Sequence, residues 1–243
     1  MSRINQNKRK ARRTAQARKR TITQIVGIII VVLVVVGIAY GVWSTRKGQM
    51  STDQNPPQTS SPPTPGGPTP ELVGTKQYSY APPLLIDVTK QYFATMKMAK
   101  GGEFVIQLYP DKAPITVNSF IFLANQGYFD GVTFHRVLAG FMAQGGDPTG
   151  TGGGGPGYQF VNESNDLKFD KAGVVAMANA GRDTNGSQFF ITFGLASLSE
   201  SDYTIFGQVI SGMDVVSGIT LRDPSQNPGY TGDVIQSITI IDK

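Results

Sequence analysis

Most residues able to do chemistry lie in one stretch, Phe134 to Tyr158: FHRVLAGFMAQGGDPTGTGGGGPGY. It holds His135, the only histidine of the 243-residue chain, directly before Arg136. Side chains alternate between the two faces of a strand. In FHRV, Phe134 and Arg136 should therefore share one face, with His135 and Val137 on the other. In FMAQ, Phe141 and Ala143 should oppose Met142 and Gln144. Two short strands joined by Leu138-Ala139-Gly140 would bring an arginine, a glutamine and an aromatic ring to one groove. His135 with Ser187 and Asp147 would suit a hydrolase, but no G-x-S-x-G is present, and such sets are defined by geometry rather than spacing. His135 reads instead as a hydrogen-bonded structural group beside the groove. The Gly150–Gly157 run lacks the G-K-[ST] of a phosphate loop and reads as a turn former.

The elements that must position this stretch are mostly strands. Gly173 to Phe193, GVVAMANAGRDTNGSQFFITF, reads as strand, turn and strand. Tyr92–Met98 and Phe104–Tyr109 read as strands around a Lys100-Gly101-Gly102 turn. Ala113–Asn125 is a helix: Pro114 stands early, where proline is tolerated, Val117, Phe120, Ile121 and Leu123 form its apolar face, and Gly127 stops it. A strand at Thr204–Val209, a helix around Met213–Ile219 and a strand at Val234–Ile241 complete the pattern. Many strands with two helices suggest a mostly-β closed barrel, which leaves no open edge.

FHRV-x-x-GFM-x-QGGDPTGTG, GPGY, AMANAG and TNGSQFFIT occur in that order, followed by TIFGQVISGMDVV. Together they resemble the cyclophilin family of peptidyl-prolyl cis-trans isomerases, from about Ile86 to Lys243. The resemblance implies an eight-stranded antiparallel barrel capped by two helices, acting on Xaa-Pro segments of unfolded proteins without cofactor or metal. It makes Arg136 the catalytic arginine, with Gln144 holding the substrate carbonyl and Phe141 beside them. Phe141, Met142, Phe190 and Leu198 would form the pocket for the proline ring. Asn179 would pair with peptide backbone, Ala178, Ala180 and Gln188 would line the groove, and His135 and Tyr203 would stand at its edge. The family often carries a tryptophan in the loop Leu195–Tyr203. Here the only tryptophan is Trp43, and Leu198 is the nearest apolar candidate, so cyclosporin binding is expected to be weak. A second class stays open: a module or chaperone that holds Pro-containing segments without turnover.

Charge is distributed unevenly. Residues 1–20 hold nine Lys/Arg and no acid, whereas residues 72–243 hold eleven Lys/Arg against fifteen Asp/Glu. The net +5 thus belongs to the tail and does not make the folded part a nucleic-acid binder. The 25 residues of 21–45 carry no charge, and 25–42 are almost wholly Ile, Val, Leu, Gly and Ala. That is long enough to cross a bilayer as a helix. Tyr40 and Trp43 sit near one end, and the basic flank places residues 1–20 in the cytoplasm. The run ends GVWSTRKG, without an A-x-A-like cleavage site, so an uncleaved anchor is expected, with a cleaved signal peptide as the rival. Residues 46–83 hold nine of the fifteen prolines and read as an extended spacer, leaving 84–243 as the folded domain. The expectation is a membrane-anchored bacterial form of the family, its domain outside the cell membrane. The chain has no cysteine, which removes disulfides and thiolate metal sites.

Overall fold

The computed structural model describes residues 76–243 and the backbone of Leu72–Gly74. Two short strands, β1 (Leu72–Gly74) and β2 (Gln77–Tyr78), pair with each other. The main body is one eight-stranded antiparallel sheet with two helices. Its strands are β3 (Tyr92–Met98), β4 (Glu103–Leu108), β5 (Arg136–Leu138), β6 (Met142–Gly145), β7 (Val174–Met177), β8 (Phe189–Thr192), β9 (Ile205–Ser211) and β10 (Ile235–Asp242). Helix α1 is Pro114–Asn125 and α2 is Met213–Ser217.

The strand order is β10-β3-β4-β9-β7-β8-β6-β5. The expected closed barrel needs correction: the sheet curls, but no continuous ladder joins β5 to β10. Only scattered backbone pairs lie near this gap, each with at least one partner outside β5 and β10. Thr133 bridges Val234 and Val137 bridges Arg222, while the Gly131 N–H donates to the Ile235 carbonyl at 2.9 Å. The outward-facing residue of the three-residue β5, Val137, uses both backbone groups on Arg222, donating at 2.7 Å and accepting at 2.9 Å, which leaves none for β10.

Period-two patterning explains the packing. In β3, Tyr92, Ala94, Met96 and Met98 are buried, facing Phe104, Ile106 and Leu108 of β4 across the hairpin. These residues belong to the interior core, where Phe120 of α1 lies within 5.2–5.8 Å of the Phe129, Phe189 and Phe206 rings. Strands β6, β7 and β8 are covered on both faces. Ala143, Val175, Phe189 and Ile191 enter the interior core. Met142, Val174, Ala176 and Phe190 enter a second cluster on the opposite face, under Phe141, Leu198 and Tyr203.

Helix α1 begins with Pro114 and has no cap from its own side chains. Glu163 supplies one from a distant loop, accepting from the Ile115 N–H at 2.9 Å, the Thr116 N–H at 2.8 Å and the Thr116 hydroxyl at 2.7 Å. These are the donors a helix start leaves without partners. The packed domain also reaches back past the expected start at residue 84. Tyr78 is buried in the interior core, and Asn118 donates to the Pro83 carbonyl at 2.9 Å. Proline-rich composition marked this segment as spacer, but one large aromatic side chain is enough to dock it. Helix α2 ends at Ser217, two residues short of the expected end, with Gly218 as its cap. The proposed span at 21–45 lies outside the described residues; among those described, no helix is long and apolar enough to cross a membrane.

Candidate active site

The groove lies on the second face of β6–β8. Gln144 of β6 pairs in register with Arg136 on one side and Phe190 on the other. Arg136 Nη1 donates to Gln144 Oε1 at 3.3 Å, and Gln144 Nε2 donates to Gln188 Oε1 at 3.0 Å. Gln188 Nε2 continues to the Gly152 and Gly154 carbonyls at 3.0 and 2.9 Å. One polar chain therefore runs from the arginine to the glycine-rich loop, with each side-chain donor and acceptor engaged in turn.

Beside Arg136 is a small pocket of about 150 Å³, lined by Phe141, Met142, Gln144, Phe190, Leu198 and Tyr203 together with Ala178 and Asn179. The Phe190 ring stacks on Phe169 at 5.8 Å and meets Tyr203 edge-on at 5.6 Å, which holds its orientation. Arg136 is the only ionised side chain in the lining. Gln144, Ala178 and Asn179 also border a larger cleft of about 810 Å³, which runs on to Ala180, Gln188 and the Gly152–Gly155 backbone. Asn179 is anchored through donation to the Asp202 carbonyl at 2.8 Å.

Eleven of the twelve side chains proposed from the sequence border one cavity or the other. His135 is the exception. It is 2% exposed and lines neither cavity, and neither ring nitrogen has a hydrogen-bond partner among the described residues. Strand β5 begins only at Arg136, so alternation does not extend back through FHRV. Phe134 does not share the arginine's face; it is buried and meets the Phe189 ring edge-on at 6.0 Å. Phe141 likewise precedes β6 and lines the groove, whereas Ala143 faces the core. Met142 and Gln144 do share the groove face, as the alternation predicts.

Burial holds the His135 imidazolium pKa below its ordinary 6.5. The Asp147 carboxylate and the Thr133 backbone partly oppose this, and the Arg222 and Arg136 charges reinforce it. No Ser-His-Asp set forms. The Ser187 hydroxyl bonds Tyr128 at 2.8 Å and the Gly146 carbonyl at 2.7 Å. Burial would raise the Asp147 carboxyl, but donors from Thr149, Gly152 and Gly154 hold it below the ordinary value. Asp147 accepts from the Thr149 N–H at 2.7 Å and the Gly152 N–H at 2.6 Å, and so ties down the glycine-rich loop. A Cβ on Gly154 would fall 2.1 Å from Asp147 Oδ1, so only glycine fits there. Among the described residues, no group of three or more metal-binding side chains gathers.

Ala178, Asn179, Ala180 and Gln188, expected along the groove, border the larger cleft, but the rest of its wall carries no motif of its own. Its wall includes Gln77, Thr184 and the Gly152–Gly155 backbone. The one signal for it in the sequence is the glycine run, whose backbone forms part of this wall as well as a turn.

Known proteins share this fold. The family described as cyclophilin type peptidyl-prolyl cis-trans isomerase/CLD matches residues 93–241. A peptidyl-prolyl cis-trans isomerase-like 1 of Rhizopus delemar is 45% identical over 147 residues, covering 58% of this chain and 89% of the relative. Peptidyl-prolyl cis-trans isomerase A of Mycobacterium tuberculosis is 46% identical over 159 residues, covering 57% of this chain and 87% of the relative. The crystal structure of a cyclophilin type isomerase from Cryptosporidium parvum superposes with a TM-score of 0.57 at 32% identity, covering 63% of this chain and 99% of that one. A second structure of that protein was determined in the presence of the dipeptide Ala-Pro. The chain belongs to the cyclophilin-type family. It is a peptidyl-prolyl cis-trans isomerase.

Proposed function

We propose that this isomerase works by binding the twisted Xaa-Pro amide better than the planar one, with Arg136 as the discriminating group. Conjugation sets a rotation barrier of about 18–20 kcal/mol, and uncatalysed exchange takes tens of seconds or longer. No bond is made or broken. The catalyst must stabilise the state in which conjugation is lost. In that state the prolyl nitrogen carries a usable lone pair, and a guanidinium aimed at it donates a charge-assisted hydrogen bond. Phe141, Met142, Phe190 and Leu198 hold the proline ring, while Gln144 holds the carbonyl before it. The observation that carries this reading is the placement of one guanidinium, hydrogen-bonded to Gln144 at 3.3 Å, on a small pocket that Phe141, Met142, Phe190 and Leu198 also line.

The test is kcat/KM on one Xaa-Pro peptide for wild type, Arg136→Lys and Arg136→Ala. Both variants should fold, Arg136→Ala should lose at least about tenfold, and Arg136→Lys should recover only part, because an ammonium lacks the planar fork. Equal values for wild type and Arg136→Ala would sink the mechanism and favour a proline-binding chaperone.

The clients proposed for it are exported proteins. Residues 1–20 would be cytoplasmic, 21–45 the membrane span, and the catalytic domain extracytoplasmic beyond a Pro-rich spacer. The support is the basic block before 25 uncharged residues. Protease added to spheroplasts should release the domain by cutting in the spacer. Full protection, or a mature N-terminus after Trp43, would overturn the anchor.

A further inference from the structure

The family match begins at residue 93, yet one wall of the larger cleft comes from residues before it. Gln77 borders that cleft together with Asn179 and Gln188. Its Nε2 donates to the Gly155 carbonyl at 2.7 Å, and the Tyr78 N–H donates to the Pro156 carbonyl at 2.7 Å. The segment is seated from both sides. Lys76 Nζ donates to the Tyr128 carbonyl at 2.7 Å. The Tyr78 ring is buried and packs edge-on against Phe122 at 5.1 Å. Opposite it, Gly157 adopts φ +92°, and a Cβ there would lie 2.6 Å from the Tyr78 carbonyl oxygen. The glycine of GPGY thus makes room for this added segment.

We propose that Lys76–Tyr78 is a substrate-reading wall, with Gln77 as a specificity-determining residue for the peptide residues that flank Xaa-Pro. This rests on the peptide-binding reading above. Gln144, Ala178 and Asn179 border both cavities, so a peptide with its proline in the small pocket continues over them into the larger cleft. What it meets there is mostly amide: the side chains of Gln77, Asn179 and Gln188 and the glycine backbone. Arg182 and Asp183 also line the cleft and form an exposed ion pair at 3.7 Å, so the lining offers one charge of each sign rather than a field of one sign. The chemistry selected is a neutral hydrogen-bonding side chain, such as that of Asn or Gln, rather than an aliphatic or a strongly charged one. Gln77, Asn179 and Gln188 are half-buried, and an aliphatic residue would displace water from their amide groups without replacing its hydrogen bonds, which accounts for the discrimination.

The test uses the full chain in detergent and Xaa-Pro peptides that differ only in the flanking residue, Asn, Gln, Ala or Leu. The readout is the ratio of kcat/KM for the Asn or Gln peptides to that for the Leu peptide. In wild type it should be about two- to tenfold, the worth of one hydrogen bond. Gln77→Leu, which keeps size but removes both donor and acceptor, should bring the ratio to about one, and Gln77→Asn should give an intermediate value. Arg136→Lys should lower all the rates while keeping the ratio. Rates insensitive to Arg136 would defeat the catalytic reading and leave the Gln77 ratio to be judged separately. A wild-type ratio near one, or a ratio unchanged in Gln77→Leu, would overturn the proposal.

Discussion

Gln144 stands directly across the β5–β6 ladder from Arg136 and accepts its Nη1–H at 3.3 Å. The same side chain donates to Gln188 at 3.0 Å. The guanidinium is therefore oriented from the strand that also carries the floor of the proline pocket, Met142.

Removing this link should slow catalysis without unfolding the domain. Gln144→Ala loses the carbonyl holder and the acceptor for Arg136. Two hydrogen bonds of about 0.5–1.5 kcal/mol each correspond to roughly a five- to hundredfold fall in kcat/KM. Steady-state assays with Gln188→Ala alongside should show the smaller effect for Gln188, which has no contact with Arg136. A larger loss in Gln188→Ala than in Gln144→Ala would contradict the assigned order.

His135 should make stability depend on pH. Its folded pKa is held below 6.5, first by burial. The unfolded chain therefore binds the proton more readily, and stability rises with pH across that window. The contribution is fully present above about pH 6.5 and is lost as pH falls through the folded value. Denaturant unfolding between pH 7.5 and 4.5 should show this slope in wild type and a shallower one in His135→Gln. The same slope in both proteins would remove His135 as its source.

Glu163 should matter to α1 although it lies 48 residues from Ile115 in sequence. Glu163→Ala leaves the Ile115 and Thr116 N–H groups without their acceptor, at a cost of about 1–3 kcal/mol. At roughly 2–4 °C per kcal/mol for a domain of this size, the melting temperature should fall by several degrees. Glu163→Gln keeps an acceptor oxygen and should lose less, since burial already holds the carboxyl pKa above its usual value. Calorimetry of the three proteins is the check. A melting temperature unaltered in Glu163→Ala would mean that water caps the helix as well.

Leu198 should limit cyclosporin binding. It borders the proline pocket, whereas Leu195 of the same loop is 73% exposed. A tryptophan there would add an indole N–H and a larger apolar surface. One hydrogen bond contributes about 0.5–1.5 kcal/mol, and the added contact about 1 kcal/mol at roughly 25 cal/mol per Å². Leu198→Trp should thus tighten the inhibitor by about one to two decades, measured by titration of the isomerase activity. No tightening would place the inhibitor's contact elsewhere in the groove.

The sequence by itself determined the elements whose period is local. Strand β3 matched its expected span, the β3–β4 turn fell at Lys100–Gly102, and α1 ran to Asn125. Alternation also placed Met142 and Gln144 on one face, because that depends only on backbone pleat. Motif order identified the family and, with it, most of the groove. The tertiary structure decided whatever depends on pairing between distant segments. Phe134 and His135 leave the β5–β6 ladder and pair with distant backbone and side chain instead, the Phe134 N–H donating to Asp233 and the His135 carbonyl accepting from Arg222, and both side chains end buried rather than in the groove. The barrel stays open because β5 pairs outward with Arg222 rather than β10, and it is the residues before β5 that reach the start of β10, at the Thr133–Val234 bridge. Helix α1 takes its cap from Glu163, and the larger cleft takes a wall from Gln77, which composition assigned to a spacer. The Glu163 cap and the Gln77 wall join residues 47 and 78 positions apart, made where close approach and unmet hydrogen bonds coincide, and no local pattern records them.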